Sequence, residues 1–235
     1  DAYCRVPEIC AEYGKSVVII GGRTALLKAH SRILAALAFS KLRVLDTLWY
    51  GGDCTEETIK KLTKQSAVKR ADMIFAVGGG RAIDTCKAVA DKLEKPLFAF
   101  PTIASNGAAG TAVSVVRTAA GEVRELYFSK KPAVHVFVQT NLIAEAPRSF
   151  LWAALCAAER KSAQRSAVVG GQELFCFGVR TPLEQYGEKA LEDCDHNLAT
   201  EAVRALALAI VSGTVGKGES AAVYEKQHAQ VYAII

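Results

Sequence analysis

ADMIFAVGGGRAIDTCKAVADKL, residues 71–93, carries three local signals in succession. Met73-Ile74-Phe75-Ala76-Val77 is an apolar run with the length and composition of a strand buried on both faces. Gly78, Gly79 and Gly80 follow, and then Ala82, Ile83, Cys86, Val89, Ala90 and Leu93 fall at helical spacing. In a strand–glycine–helix unit the unpaired N–H groups of the first helical turn point outward, towards an anion. With no Cβ atoms in the way, a phosphate can approach the main chain, so the three glycines read as a site for the pyrophosphate of a nucleotide. Asp84 reads as a first-turn residue that either faces the cleft or complements the helix dipole. Lys87, one turn on, either approaches phosphate or is solvated. The plainer reading of the glycines is a tight turn, and their spacing departs from G-x-G-x-x-G.

The neighbouring segments favour the ligand site. Pro96 to Phe100 is a second buried-type strand, and it ends in Pro101-Thr102-Ile103-Ala104-Ser105. Two adjacent strand ends with glycines and small hydroxyls make a crevice at the carboxyl edge of a parallel sheet, where such folds bind ligands. Thr102 and Ser105 are therefore candidates for the nicotinamide or ribose side. Upstream, Lys15 to Ile20 is a strand that turns through Gly21-Gly22-Arg23 into a helix reaching about Leu37. Leu42 to Tyr50 reads as another strand. Thr55 caps a helix whose first turn holds Glu56 and Glu57 and which runs to about Ser66. A short helix over Pro7 to Tyr13 precedes all of this. The alternation predicts an α/β fold with a parallel, Rossmann-like sheet.

From Thr111 the pattern changes. Ala112 to Thr118 and Val123 to Ser129 read as a hairpin, and Val134 to Val138 as a further strand. After Pro147 the spacing predicts helices over Ser149–Ala167, Gln172–Tyr186, Gly187–Cys194 and Thr200–Ser212. The boundary is placed so that residues 1–146 form the nucleotide-binding α/β domain. Residues 147–235 form an all-helical domain that reads as shortened.

Composition narrows the function classes. At 51% hydrophobic and 23% charged residues, the chain suits a globular protein with ample core. The net charge of +5 is dispersed, with no interleaving of basic and aromatic residues, which argues against nucleic acid. The seven cysteines form no C-x-x-C pair, and Cys86 and Cys176 sit in apolar surroundings, as expected of buried thiols in a reducing, cytoplasmic setting. No apolar stretch is long enough to span a bilayer, and the amino terminus lacks a signal pattern.

GGGRAIDTCKAVA with FPTIAS resembles the glycerol dehydrogenase branch of the iron-containing (group III) alcohol dehydrogenase superfamily, to which dehydroquinate synthase is related. Trp49-Tyr50-Gly51-Gly52-Asp53, Thr111 to Val116, Ile143 to Pro147 and Phe150 to Ala153 agree in order. The similarity weakens after about Lys161. The resemblance implies hydride transfer between NAD and a small polyol or alcohol, with a zinc or iron ion held by one Asp and two His of the helical half. It also implies a homo-oligomer, since relatives assemble into octamers. NADP stays open as the cofactor: Gly22 stands where many relatives place an acidic residue on the ribose, and Arg23 beside it could accept a 2′-phosphate.

The metal set does not carry over intact. The family motif W-A-G-I-G-D reads Trp152-Ala153-Ala154-Leu155-Cys156-Ala157 here, so its Asp ligand position is Ala157. The first His ligand matches His228, and the second matches nothing in this chain. Asn106 follows Ser105 where many relatives carry an Asp, and Gln139 stands where some have one. Two other readings therefore stand beside the oxidoreductase. One is a non-catalytic nucleotide-binding module of the same descent, and the other is a superfamily member acting on a phosphorylated substrate.

Overall fold

Val17-Val18-Ile19-Ile20 and Met73-Ile74-Phe75-Ala76-Val77 hold no polar side chain, and both segments are strands buried along their whole length. The computed structural model describes residues 2–163, 167–169, 172–176, 180–212, 214–217 and 230–234. In chain order these contain α1 (Val6–Cys10), β1 (Ser16–Gly21), α2 (Arg23–Leu37), β2 (Arg43–Trp49), α3 (Glu56–Lys64), α4 (Ser66–Arg70), β3 (Met73–Gly78), α5 (Gly80–Lys92) and β4 (Leu97–Pro101). There follow β5 (Val113–Arg117), β6 (Val123–Phe128), β7 (His135–Gln139), α6 (Thr140–Ala144), α7 (Arg148–Ala163), β8 (Ala167–Val169) and β9 (Gln172–Cys176). The last elements are α8 (Arg180–Asp195), α9 (Glu201–Ser212), β10 (Thr214–Lys217) and β11 (Gln230–Ile234).

The main sheet is parallel, with strand order β11-β7-β4-β3-β1-β2. Successive side chains of a strand point to opposite faces, and the core divides accordingly. Val17, Ile19, Met73, Phe75, Val77, Phe98, Phe100 and Phe137 pack on one face with Ile33 and Leu37 of α2. Val18, Ile20, Ile74, Ala76, Ala99, Val136 and Val138 pack on the other with Ile83, Cys86 and Val89 of α5. Beyond α5 lie α3, β5 and the turn at Ala108–Gly110, so this helix is enclosed and every residue from Ala82 to Ala90 is buried. The same cluster continues past Ile143 into the second half through Leu151, Leu155, Leu191, Val203 and Leu206.

Strand order determines where a ligand can enter. The chain leaves β1 for β2 on one side, then returns to place β3 on the other. The connections therefore diverge between β1 and β3, and the helices that follow these two strands open a crevice at their carboxyl ends.

Past α7 the chain departs from the helices read there. Residues 172–176 are a strand, antiparallel to both β8 and β10. The helix read over Gly187–Cys194 begins earlier, at Arg180. β11 adds itself to the parallel sheet beside β7, so the second half is not wholly helical. Among the described residues no helix is long and apolar enough to cross a membrane.

At the edge of the sheet opposite the crevice, Asp72 joins the starts of β1 and β3. Its carboxylate accepts hydrogen bonds from the N–H of Lys15 at 2.9 Å, the N–H of Ser16 at 2.9 Å and the hydroxyl of Ser16 at 2.8 Å. Those donors, the Lys15 amide first, hold the Asp72 carboxyl below its ordinary 3.8. A depressed carboxyl pKa adds stability above the unfolded value, and that stability is lost as pH falls through the folded value. Asp72→Ala should cost about 1 kcal/mol at neutral pH, a figure already discounted for solvent around this exposed side chain. Urea unfolding of both proteins across pH should show the gap narrowing below about pH 4. A gap independent of pH would contradict this role.

Candidate nucleotide-binding cleft

Two glycine turns meet at the crevice between β1 and β3. Gly22 N–H donates to the carbonyl of Val77 at 3.1 Å, tying the start of α2 to the end of β3. Gly78 has φ +147°, and a Cβ there would stand 3.0 Å from Ala82 Cβ and 3.6 Å from Ala25 Cβ. Only glycine fits that backbone between two helix starts. A Cβ on Gly79 or Gly80 would come within 2.7 Å of Ile103 Cδ1 or 2.6 Å of Asn106 Nδ2. The N-cap positions are Gly22 for α2 and Gly79 for α5; neither helix has a side-chain cap or an acidic residue in its first turn. The first-turn N–H groups thus keep their capacity for an outside acceptor, and the positive ends of two helix dipoles point into one space.

That space is a cleft of about 810 Å³, bordered by Gly78, Gly79, Gly80, Thr102 and Ser105, with Pro147 and Phe150 on the side of the second half. Its charged lining is mainly basic: Arg23, Lys28 and Arg81, against Glu145. The carboxylates nearby are already engaged. Glu145 pairs with Lys28 at 3.4 Å and Arg32 at 3.2 Å, and Asp53 lies 3.7 Å from Arg81 and 4.0 Å from Arg117. Tyr50 also borders the cleft and donates its hydroxyl to the Gly52 carbonyl. Burial, reinforced by Asp53, pushes its phenol above the ordinary value, so it is a protonated donor at neutral pH. A basic, glycine-floored cleft with two open helix starts can hold a diphosphate and the sugars on either side of it.

Of the residues singled out from sequence, Gly78, Gly79, Gly80, Thr102 and Ser105 come together on this cleft. Asp84 does not, and this corrects its reading as a first-turn cofactor residue. It lies in the second turn of α5, buried, 2.9 Å from Lys87 Nζ, and its other oxygen accepts the Val115 N–H at 3.2 Å. Lys87 is likewise neither solvated nor at a phosphate. Its ammonium is buried and donates to the carbonyls of Ala108 at 2.8 Å, Thr111 at 3.1 Å and Val113. Burial pushes the Lys87 pKa down, and the Asp84 charge opposes that shift. Gln139 is buried too, its Oε1 accepting the Ala2 N–H at 3.1 Å.

Among the described residues the metal reading finds no support. Ala157 lies within α7, and a methyl group cannot bind a cation. His228 lies outside the described residues, as does the side chain of Cys176. Among the described residues no group of three or more His, Cys, Asp or Glu could hold a metal ion. What the sequence reading missed at the cleft is the Trp49 ring beneath Arg23, whose guanidinium carbon stands 4.5 Å from the ring centroid. β1–β2 pairing makes that contact by bringing Trp49 opposite Gly21, and no local pattern announces it.

Comparison with known proteins agrees with this architecture. The family model described as iron-containing alcohol dehydrogenase matches residues 1–138. The glycerol dehydrogenase of Thermotoga maritima is 41% identical over 119 residues, covering 50% of this chain and 32% of that protein. The glycerol dehydrogenase of Pseudomonas putida is 30% identical over 220 residues, covering 86% of this chain and 59% of its own. The crystal structure of glycerol dehydrogenase from Schizosaccharomyces pombe superposes with a TM-score of 0.77 at 25% identity, over 90% of this chain and 57% of that one. The chain thus spans between about a third and three-fifths of the length of these relatives. With its glycine-floored crevice at the β1–β3 divergence and a family match over more than half its residues, the chain belongs to the iron-containing alcohol dehydrogenase family.

Proposed function

We propose that this chain supplies the nucleotide-holding part of an NAD(P)-linked oxidoreductase acting on a small polyol or alcohol. The observation that carries the reading is the pair of uncapped helix starts, at Gly22 and Gly79, opening on one basic cleft. In this reading residues 1–146 bind the dinucleotide, and residues 147–235 close over the substrate from the side of Pro147 and Phe150. Gly78, Gly79 and Gly80 accept the pyrophosphate against the α5 amides. The Thr102 and Ser105 hydroxyls orient the ribose or nicotinamide half, and the Ile103 side chain shields that half from water. A bound nicotinamide would supply the hydride acceptor or donor. The described residues do not complete a metal site, so no step is assigned to one. The buried free thiols of Cys10, Cys54, Cys86 and Cys194 support a reducing, cytoplasmic setting for the protein, and assembly into a homo-oligomer is part of the same proposal.

Titration of the 235-residue chain with NADH and NADPH, followed by nucleotide fluorescence, tests the binding half of this reading. We expect saturable binding without added metal. A chain that binds neither nucleotide would overturn it. Glycerol oxidation with NAD or NADP, with and without zinc, tests the rest. Turnover supports the oxidoreductase, and binding with no turnover under any condition confines the chain to holding the nucleotide.

A further inference from the structure

One cation at the cleft has no carboxylate among the described residues to answer it. Among the described residues Arg81 and Arg117 share Asp53, and Lys28 and Arg32 share Glu145. Arg23, at the first helical position of α2, forms no salt bridge with any described residue. Its guanidinium is instead laid over the Trp49 ring at 4.5 Å. Stacking on an indole restricts the rotamers of a long, flexible side chain while leaving the in-plane N–H donors free. The result is a planar cationic fork, held at the mouth of the cleft and accessible to solvent.

The direction of the dinucleotide follows from where its other contacts lie. With the pyrophosphate at Gly78–Gly80 and the nicotinamide half towards Thr102 and Ser105, the adenosine half must run the other way, to the β1–β2 side. That side is bounded by Gly22, Arg23, Trp49 and Gly52. Among the described residues the first turn of α2 carries no carboxylate for the hydroxyls of an adenosine ribose, and Asp53, next to Gly52, is engaged by Arg81 and Arg117. What the surface offers instead is a stacked guanidinium beside the open start of α2, which together suit a dianion.

We infer that the cleft prefers the 2′-phosphorylated dinucleotide, NADP(H), with Arg23 as the specificity-determining residue that grips the 2′-phosphate. The inference rests on the proposed nucleotide site and adds to it which of the two nicotinamide cofactors is taken. Arg23 touches the phosphate that NAD lacks, so its removal should weaken one ligand and not the other. Because the side chain is exposed, its loss should leave the fold intact.

The test is fluorescence titration of NADPH and NADH on the wild-type chain and on Arg23→Ala and Arg23→Asp, with thermal melts as a folding control. Wild type should bind NADPH at least about tenfold more tightly than NADH, as a stacked Arg–phosphate pair warrants. Arg23→Ala should lower NADPH affinity by about tenfold or more while moving NADH by less than about threefold. Arg23→Asp should invert the preference, since a carboxylate repels the phosphate and can accept from a ribose hydroxyl. Equal or tighter binding of NADH by wild type overturns the inference and leaves the nucleotide site standing. So does a parallel loss of both ligands in Arg23→Ala. Failure of wild type to bind either nucleotide overturns the proposed function itself.

Discussion

Lys87→Met should destabilise the protein by about 3–5 kcal/mol, a large share of the roughly 5–15 kcal/mol that holds an ordinary domain folded. The methionine stem fills nearly the same volume, so the loss is chemical and not steric. With the ammonium gone, the buried Asp84 carboxylate loses the cation 2.9 Å away and keeps only the Val115 N–H. The carbonyls of Ala108, Thr111 and Val113 lose the donor that gathers the 108–113 segment over α5. A buried charge without a partner costs more than the pair contributes, so removing both charges should do less harm than removing one. The double variant Asp84→Leu/Lys87→Met is expected to regain part of the loss, though three carbonyls remain unanswered. Urea midpoints of the wild type and of the single and double variants measure this. A single variant that unfolds within about 1 kcal/mol of wild type would show that solvent reaches the ammonium after all.

This buried pair also marks the limit of what the residues alone made legible. The triple glycine was legible as a ligand turn because an apolar strand precedes it and apolar residues at helical spacing follow, which is a purely local pattern. Asp84 and Lys87 were not legible, because a helical pattern separates an apolar face from a polar one only when one face meets water. Here α5 lies between the sheet and a second layer formed by α3, β5 and the Ala108–Gly110 turn, so polar residues on its outer side are buried as deeply as the apolar ones. The β5–β6 hairpin was readable from its alternation, and its partners lie close in sequence. The start of the helix expected over Gln172–Tyr186 is a strand, Gln172–Cys176, for the opposite reason: one of its two partners, Thr214–Lys217, is some forty residues away. The order of the parallel strands, which places both glycine turns at one divergence, is equally a tertiary fact. Sequence signalled each turn separately, and only the sheet shows that they share a cleft.

That shared cleft makes Gly79→Val the substitution expected to act most strongly on nucleotide affinity. Gly79 has φ −88° and ψ −173°, extended backbone that valine adopts without strain. Its position as the α5 N-cap gives valine a cost of about 1 kcal/mol in helix stability, too little to unfold the chain. The nearest atom an added Cβ would meet is Ile103 Cδ1 at 2.7 Å, the free end of a side chain that can swing aside. The branched methyls would then occupy the space over the first-turn amides of α5, where the pyrophosphate is proposed to sit. We expect NADH and NADPH affinities to fall together by about a hundredfold, roughly 2.7 kcal/mol, with only a small drop in melting temperature. Gly78→Ala provides the contrast. Its φ of +147° and the Ala82 Cβ at 3.0 Å should turn a smaller side chain into a loss of stability first and of binding second. Calorimetric titration beside thermal melts separates the two variants. If Gly79→Val folds and still binds both nucleotides as wild type does, the diphosphate is not held at this turn, and the two helix starts face one another for structural reasons alone.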